Sequence, residues 1–254
     1  MPALALGNCV DCQMPCLLSA LPQKPFRDQI TRLEVQNRTS LWLEESPAGN
    51  CYVICQGVIQ LSQRAPDGSK LIIDLLGPGD VAGLMELLAH ERRTTEAISL
   101  MKSKLVQMDR STLLKLIEDY PDLAPELARV GAAAARHLSQ RLLLACYGGV
   151  RERLIWVLLD LGRRFGRWEG QGLVIELELS KRDLEMLVGA GHVSTVKATE
   201  DLEQRGFALF RRRAIILPSP LRLSQTLGDL SEVRYWEGRS ERECSRVTRS
   251  SVQT

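Results

Sequence analysis

The sequence has no run of apolar residues long enough to cross a membrane. None of its segments approaches the roughly 18 consecutive apolar residues that a spanning helix requires. The N-terminal segment MPALALGNCVDC also lacks a cationic start followed by an apolar core, which a secretory signal needs. We therefore expect a cytoplasmic protein that does not associate with membranes.

Histidine is scarce, which bears on the class of protein. The chain holds three histidines, His90, His137 and His192. None of them stands in a nucleophile or metalloprotease motif. We therefore expect that the protein is not an enzyme.

The charges of the chain nearly cancel. The 33 basic and 31 acidic side chains leave a net charge of +2, so any surface that binds nucleic acid must be local. Hydrophobic residues make up 44% of the 254 residues, which is ordinary for soluble globular proteins and enough for two domains.

The stretch from Leu179 to Pro218 predicts two short helices and a hairpin. Ser180 and Asp183 have the Ser-x-x-acid spacing that starts a helix. Gly189-Ala190-Gly191 ends that helix, and a short turn with glycine joins two crossed helices. A second helix is predicted from His192 to Gln204. Its packing side consists of Thr195, Ala198, Thr199 and Leu202.

The hairpin completes the pattern of a winged helix-turn-helix. Phe207–Phe210 and Ala214–Leu217 are predicted strands that flank three arginines. A helix fits the major groove of DNA, and nearby cations hold the phosphates. The predicted DNA-binding residues are Ser180, His192, Val193, Ser194, Val196, Lys197, Arg211, Arg212 and Arg213. The alternative is an ordinary helical hairpin with a solvated charged face.

The region from Arg27 to Arg110 predicts a small antiparallel barrel or roll. Turns at residues 65–68 and 77–80 separate short apolar runs, as in such folds. Strands are predicted at Cys51–Leu61, Leu71–Leu76, Ala97–Met101 and Leu105–Met108. A helix over Ser111–Tyr120 closes the domain, and the chain as a whole is of the α+β class.

A long helix is predicted over Pro121–Tyr147. Apolar residues recur along it at three- and four-residue steps. They are Leu123, Leu127, Val130, Ala134, Leu138 and Leu142. A narrow apolar seam suits pairing with a second copy across a two-fold axis. The alternative is a single helix packed on its own domain.

A further helix, Val150–Phe165, follows the hinge Gly148-Gly149. Its arginines are expected to add to the basic surface of the C-terminal domain. They are Arg151, Arg153, Arg163 and Arg164, with Arg167 just beyond. A strand over Leu173–Leu177 then leads to the helix-turn-helix.

Three cysteines, Cys9, Cys12 and Cys16, lie within eight residues near the N-terminus. Clustered thiolates on one segment are ligands for zinc or for an iron-sulfur cluster, and either site needs four ligands. A thiol-disulfide switch and cysteines without a ligand role are the alternatives. The remaining cysteines are Cys51, Cys55, Cys146 and Cys244.

Taken together, the order of roll, long helix and winged helix-turn-helix resembles the Crp/Fnr family of bacterial transcription regulators. The most specific motifs are Gly77-Pro78-Gly79-Asp80-Val81, Leu187-Val188-Gly189-Ala190 and the helix that ends in Leu202–Gly206. The resemblance implies a cyclic-nucleotide-binding-like roll and a homodimer that binds palindromic promoter DNA and acts through RNA polymerase. The N-terminal cysteine run is similar to that of the oxygen-sensing Fnr branch, which carries a 4Fe-4S cluster.

The sequence departs from the family pattern in its recognition helix and in its roll. Val193, Val196 and Lys197 stand where the family usually has glutamate, serine and arginine, so the usual half-site is in doubt. Gly83-Leu84-Met85 replaces the Gly-Glu-Leu of cyclic-nucleotide members, which argues against cyclic AMP. Arg93-Thr94 matches their Arg-Ser pair, and we expect Arg93 to be a solvated arginine beside Glu91 and Glu96; an arginine that binds a phosphate is the alternative.

The fourth cluster ligand is a further departure. The cysteine that the family takes from a late roll strand corresponds to Val106 here. Cys51 and Cys55 are candidates for the fourth ligand, since both project from one face of a single strand. Cys146, a carboxylate or an external thiol are the other candidates.

These inferences divide the chain into five parts. They are a cysteine-containing segment (1–26), the roll (27–120), the dimerisation helix (121–147), the winged helix-turn-helix (148–218) and a C-terminal extension (219–254), predicted as partly helical and partly disordered. The predicted function is a dimeric DNA-binding regulator that senses redox state, oxygen or nitric oxide through its N-terminal cysteines. A regulator controlled by a small molecule in the roll, or by no effector, is the alternative.

Overall fold

A computed structural model describes residues 30–170 and 172–228. It divides into two compact units, residues 1–138 and 139–254. The boundary lies within one continuous helix. In the described part of the chain, no helix has both the length and the apolar content needed to cross a membrane.

The first unit is a β-roll of two four-stranded antiparallel sheets. Its strands are β1 (Thr31–Val35), β2 (Ser40–Trp42), β3 (Asn50–Gln56), β4 (Ile59–Arg64), β5 (Lys70–Leu76), β6 (Val81–Ala82), β7 (Glu96–Ser99) and β8 (Ser103–Asp109). One sheet has the order β1-β8-β3-β6 and the other β2-β7-β4-β5. The predicted roll is therefore confirmed.

The roll holds two apolar cores, one on each face of the first sheet. Trp42, Tyr52, Ile59 and Ala97 belong to a core that takes side chains from both sheets, which places it inside the roll. The other face of β3 and β8 packs on helices. They are α1 (Leu84–Ala89), α2 (Arg110–Asp119) and the start of α3 (Leu123–Tyr147).

The prediction of one strand over Cys51–Leu61 is wrong, because the chain turns at Gly57. This glycine has a φ of 96°, a conformation that other residues rarely adopt. A Cβ built on it would lie 2.8 Å from Ser103 Cα, so no side chain fits there. The run is divided into β3 and β4, and short helix α1 is an element that the sequence analysis missed.

The second unit contains the end of one helix, four further helices and a small sheet among its described residues. The helices are the end of α3, then α4 (Val150–Phe165), α5 (Lys181–Val188), α6 (His192–Gln204) and α7 (Pro220–Gln225). The strands are β9 (Gly166–Glu169), β10 (Gly172–Ile175), β11 (Leu209–Phe210) and β12 (Ile215–Leu217), in the order β11-β12-β10-β9. Strand β9 was not predicted, whereas helices α5 and α6 and the wing formed by β11 and β12 were.

Helix α3 meets the roll with only part of its predicted seam. Leu123 and Leu127 are buried in the helix-side core, and Val130 packs against it. Ala134, Leu138 and Leu142 are exposed, with Leu142 at 65%. The alternative of packing on its own domain therefore holds for the first turns of the helix. The remaining three residues form an apolar stripe, here called the α3 stripe.

Candidate nucleic-acid interface

Helix α5 begins with a complete capping box. The Ser180 hydroxyl accepts a hydrogen bond from the Asp183 backbone N–H (3.1 Å), and an Asp183 carboxylate oxygen accepts from the Ser180 backbone N–H (2.8 Å) and hydroxyl (2.7 Å). The helix ends at Gly189, whose φ of 64° suits glycine. The Ser180 hydroxyl, predicted to contact DNA, is thus engaged in the cap.

Helix α6 has one buried side and one exposed side. Thr195, Ala198 and Leu202 are buried, and Leu202 is fully enclosed. His192, Val193, Ser194 and Lys197 are exposed, while Val196 is partly buried. Val193 is 65% exposed and lies beside the polar side chains of Ser194 and Lys197. This exposed side is the candidate surface for reading base edges.

His192 connects the two helices of the motif. Its Nδ1 lies 2.6 Å from an Oε1 of Glu185 on α5. One of the two ring nitrogens is therefore already engaged, which leaves a single nitrogen for a contact to DNA. Glu185 was not recognised from the sequence as a functional residue.

Helix α6 is fixed to α4 by the carboxylate of Asp201, which lies between two arginines. Asp201 accepts hydrogen bonds from Arg151 Nε of α4 (2.7 Å) and from Arg205 Nε (2.6 Å). The hydrogen bond from Arg151, followed by that from Arg205, lowers the pKa of Asp201 below its usual value. The pairing of Asp201 with Arg205 is readable from their four-residue spacing, but the partner on α4 is not.

Two more arginines hold the turn between the helices. Arg141 Nη2 donates to the carbonyl oxygen of Leu187 at 2.7 Å, and Arg153 Nη1 donates to that of Gly189 at 3.2 Å. These are carbonyl groups at the end of α5, which have no partner within the helix itself. The positive charges of these arginines also interact favourably with the negative end of the helix dipole.

The prediction that the arginines of α4 form a basic surface is wrong for most of them, because acidic side chains neutralise their charge. Arg163 and Arg164 pair with Asp160 at 2.7 and 3.3 Å. Arg167 pairs with Glu169 and Glu176. The expectation overlooked that carboxylates one helical turn or one strand away share the same surface.

The wing carries the exposed basic cluster that was predicted. Arg211, Arg212 and Arg213 are all exposed at the turn between β11 and β12. A backbone hydrogen bond from Arg211 N to Ala214 O (2.9 Å) closes that turn. The wing is attached to α6, since the Glu203 carboxylate accepts from the Phe210 backbone N–H (3.0 Å). Neither Arg212 nor Arg213 has an acidic partner among the described residues.

Arg93 in the roll contradicts the expectation of a solvated side chain. It is 1% exposed. Its Nη1 donates to the Gly83 carbonyl oxygen at 3.0 Å, and its Nη2 donates to that of Asn50. The guanidinium carbon lies 4.2 Å from the centroid of the Trp42 ring, which stacks on Tyr52. Burial lowers the pKa of Arg93.

Known proteins resemble this chain in both sequence and fold. Residues 32–120 match the family model described as the cyclic nucleotide-binding domain. The chain is 28% identical over 197 residues to the CRP-like cAMP-activated global transcriptional regulator of Mycobacterium tuberculosis, an alignment that covers 78% of this chain and 88% of the relative. It is 29% identical over 192 residues to the nitrogen fixation regulation protein FixK of Azorhizobium caulinodans, covering 75% and 73%. The solved structure of FixK2 from Bradyrhizobium japonicum has the same fold, with a TM-score of 0.68, 24% identity, and coverage of 77% of this chain and 96% of that one. Residues 32–120 therefore form a cyclic nucleotide-binding domain, and the chain is similar over about three quarters of its length to a CRP-like regulator and to FixK.

Only some of the cysteines that were predicted to form a sensor lie in the described part of the chain. Cys9, Cys12 and Cys16 lie outside the described residues. Cys51 is fully buried in the helix-side core, and burial raises the pKa of its thiol to about 12. Cys55 is partly buried against the same core, and Cys146 is exposed. Within the described ranges, no three metal-ligating side chains come together.

Asp201→Asn is expected to destabilise the second unit of the chain at neutral pH. Because the pKa of Asp201 is lower in the folded chain than in the unfolded chain, its carboxylate stabilises the fold above the ordinary aspartate value of about 3.9, and this contribution is lost as the pH falls through the folded pKa. Thermal unfolding followed by circular dichroism should give a lower midpoint for the variant at pH 7. The gap to wild type should close below about pH 4.

Glu200→Gln is the matched control, since it removes one exposed carboxylate from the same helix. It should leave the midpoint close to that of wild type. A gap for Asp201→Asn that stays constant across the whole pH range would contradict the role assigned to the carboxylate.

Proposed function

We propose that this protein acts as a homodimer that reads a two-fold symmetric DNA site with helix α6 and holds its phosphates with the wing. One observation carries the proposal. The buried side of α6 is fixed by Leu202 and by the Arg151–Asp201 pair, while Val193, Ser194 and Lys197 project from the opposite, exposed side. A helix held rigidly with a mixed apolar and polar outer face suits contact with base edges.

The side chains on that face define the kind of readout. Lys197 can donate to guanine O6 and N7 or to a phosphate, but it lacks the planar fork of an arginine. Val193, and the edge of Val196, can contact thymine methyl groups and cannot accept a hydrogen bond from cytosine. We infer a half-site in which at least one thymine replaces a contact made through hydrogen bonds in relatives with a glutamate at this position.

The α3 stripe supports the homodimer. Leu138 and Leu142 are exposed on one side of α3, four residues apart, with Ala134 one turn earlier. Two such stripes crossing at a two-fold axis would remove both leucines from water and allow close approach at the alanine. A dimer places two recognition helices against two half-sites, and we propose that the bound protein then acts on RNA polymerase at promoters.

We propose that the signal enters through Cys9, Cys12 and Cys16. Soft thiolates in this spacing suit an iron-sulfur cluster of the 4Fe-4S type, which would supply oxygen- or nitric-oxide-sensitive redox chemistry when bound. Cys55 suits the fourth ligand better than Cys51, since a core thiol with a raised pKa resists ionisation. A reversible disulfide among the same cysteines is the second form of this proposal. A change in the cysteine segment would then alter how often the two recognition helices sit one DNA turn apart.

The sensing proposal is tested by purifying the protein without oxygen. An absorption spectrum with iron and sulfide analysis is recorded before and after brief exposure to air, and DNA affinity is measured by fluorescence anisotropy in both states. A brown protein with about four irons per chain that bleaches in air, with a change in affinity of roughly tenfold, is the expected result.

The matched variants separate the two forms of the proposal. Replacing Cys9, Cys12 and Cys16 together by serine should remove both the colour and the response to oxygen, whereas Cys146→Ser should keep them. A colourless wild-type protein whose affinity still responds to reductant favours the disulfide. A colourless protein with an unchanging affinity, after anaerobic reconstitution with iron and sulfide, contradicts sensing by these cysteines.

A further inference from the structure

We propose that Arg93 closes the roll to cyclic nucleotides by committing its guanidinium to the protein itself. The family model that matches this domain is named for nucleotide binding. In this chain the guanidinium bonds two backbone carbonyl groups and lies against the ring of Trp42. Arg93 is therefore a structural plug in the place where an arginine would otherwise meet a phosphate.

The hydrogen bonds of Arg93 make it costly to recruit for a ligand. Because Arg93 is 1% exposed, its side chain must leave this position to meet a phosphodiester, and it must then release the carbonyl oxygens of Gly83 and Asn50. Both carbonyl groups would then lose a charge-assisted hydrogen bond, one in a buried and one in a partly buried place. The Nε of Arg93 has no acceptor and is buried. The second N–H on each terminal nitrogen is enclosed as well, since the side chain as a whole is buried.

A carboxylate also occupies the neighbouring position. The hydroxyl of Thr94 donates to Glu86 Oε1 at 2.9 Å. Thr94 directly follows Arg93, and it is the residue that would have to support a phosphate beside it. A phosphate placed there would meet the negative charge of Glu86 and would have to displace its hydrogen bond. Electrostatics at this corner of the roll therefore oppose an anion.

Two aromatic side chains lie in the interior of the roll. The ring centroids of Trp42 and Tyr52 lie 5.7 Å apart in a stacked pair, and Trp42 Nε1 donates to the Thr95 carbonyl oxygen at 2.8 Å. Leu84 stands where cyclic-nucleotide members of the family have a glutamate, and its side chain is buried in the helix-side core. No acceptor for a sugar hydroxyl therefore projects from residue 84 into the roll.

The plug also fixes the start of helix α1. Gly83, whose carbonyl binds Arg93, is the N-cap of α1 and has a φ of 72°. A Cβ on Gly83 would overlap the guanidinium and would lie 3.2 Å from Trp42 Cη2. Two residues later, Met85 covers Gly131 of α3 so closely that a Cβ there would lie 2.7 Å from its methyl group. The contact between α1 and α3 is thus made by the side chain of Met85 against Gly131.

The test measures nucleotide binding and thermal stability on the full chain, without DNA. Equilibrium dialysis with labelled cAMP and cGMP should detect no binding to wild type, and millimolar concentrations of either should leave the unfolding midpoint unchanged. Arg93→Ala should lower the midpoint by about 5 °C or more, since it removes two charge-assisted hydrogen bonds and opens a cavity under Trp42. Arg92→Ala, at the adjacent and exposed arginine, should shift it by about 1 °C or less.

The outcomes separate a plug from a ligand-binding arginine. Saturable cAMP or cGMP binding to wild type that is lost in Arg93→Ala would overturn the proposal, because nucleotide binding is a property that a purely structural residue does not confer. So would an Arg93→Ala protein as stable as wild type. If Arg93→Ala does not fold, Arg93→Lys supplies the same comparison, with one carbonyl still within reach of its ammonium group and an intermediate loss expected. Failure of the DNA-binding proposal leaves this result unaffected, since no readout involves DNA.

Discussion

Leu142→Glu is expected to convert the protein from a dimer to a monomer and to abolish tight binding to a palindromic site. Leu142 is the most exposed residue of the α3 stripe, at 65%. In the proposed dimer it would face its own copy, so two carboxylates would be brought together away from water at a high cost. Tight binding requires one dimer to hold both half-sites at once. The DNA affinity of a monomer should therefore be lower by about 100-fold or more.

Light scattering coupled to size exclusion and fluorescence anisotropy with a palindromic duplex measure the two effects. Ala133→Glu provides the control. It introduces the same charge at an exposed position that helical geometry places on the opposite side of α3 from Leu142. The control should remain dimeric and bind DNA as wild type does. A dimeric Leu142→Glu protein would show that the copies associate through another surface.

Replacing Arg211, Arg212 and Arg213 together by glutamine is expected to weaken DNA binding uniformly across sequences. All three side chains are exposed on the wing, and the wing is tied to α6 through Glu203. If each arginine neutralises one phosphate, a dimer loses six contacts. The slope of log affinity against log salt concentration should then fall in magnitude by up to about 5, with a loss of roughly 100-fold or more at low salt.

The control for net charge replaces three exposed lysines of the roll by glutamine. They are Lys102, Lys104 and Lys115. This variant has the same charge as the wing variant and should retain the wild-type salt slope. Lys197→Met serves as the contrasting case, because loss of a base-edge contact should depend on the DNA sequence. An unchanged salt slope in the wing variant would contradict the placement of the wing on phosphates.

Local patterns in the sequence were sufficient to predict the DNA-binding unit. The capping spacing of Ser180 and Asp183, and a glycine turn before His192, determine where α5 and α6 begin and end, and the structure has both helices at the predicted bounds. The periodicity that selected the packing side of α6 is equally local. Of its four residues, Thr195, Ala198 and Leu202 are buried and Thr199 is partly buried. Helical period and capping act over a few residues, so they are readable without a fold.

The missed features depend on contacts between distant parts of the chain. Arg93 follows an exposed stretch of charged residues, and nothing next to it in sequence indicates Trp42 or the carbonyl of Asn50 as a partner. The break at Gly57 is imposed by Ser103, which lies on another strand. Likewise, Arg151 was assigned to a basic surface because its partner Asp201 lies on another helix. A charged residue seen only in sequence is best interpreted as solvated, and only the fold shows which carboxylate or carbonyl meets it.

The fourth ligand of the predicted cysteine site also depends on contacts between distant parts of the chain. The spacing of Cys9, Cys12 and Cys16 indicates ligand chemistry, but the fourth ligand is a matter of tertiary structure. Of the two candidates on β3, the structure leaves Cys51 within a core and Cys55 at its edge. The identity of the fourth ligand therefore stays a prediction, which chemical analysis of cysteine variants can test.

The most direct test of a symmetric, helix-reading dimer is selection of bound sequences from a library of random double-stranded DNA. The protein is reconstituted with iron and sulfide under nitrogen, and one sample is kept anaerobic while another is exposed to air. Sequencing should show, in at least one of the two states, an inverted repeat with half-site centres about 10 base pairs apart. The same selection with Lys197→Met should lose its preference at one position of each half-site. Enrichment of a single, unrepeated site, or no enrichment in either state by a folded protein, would contradict the account.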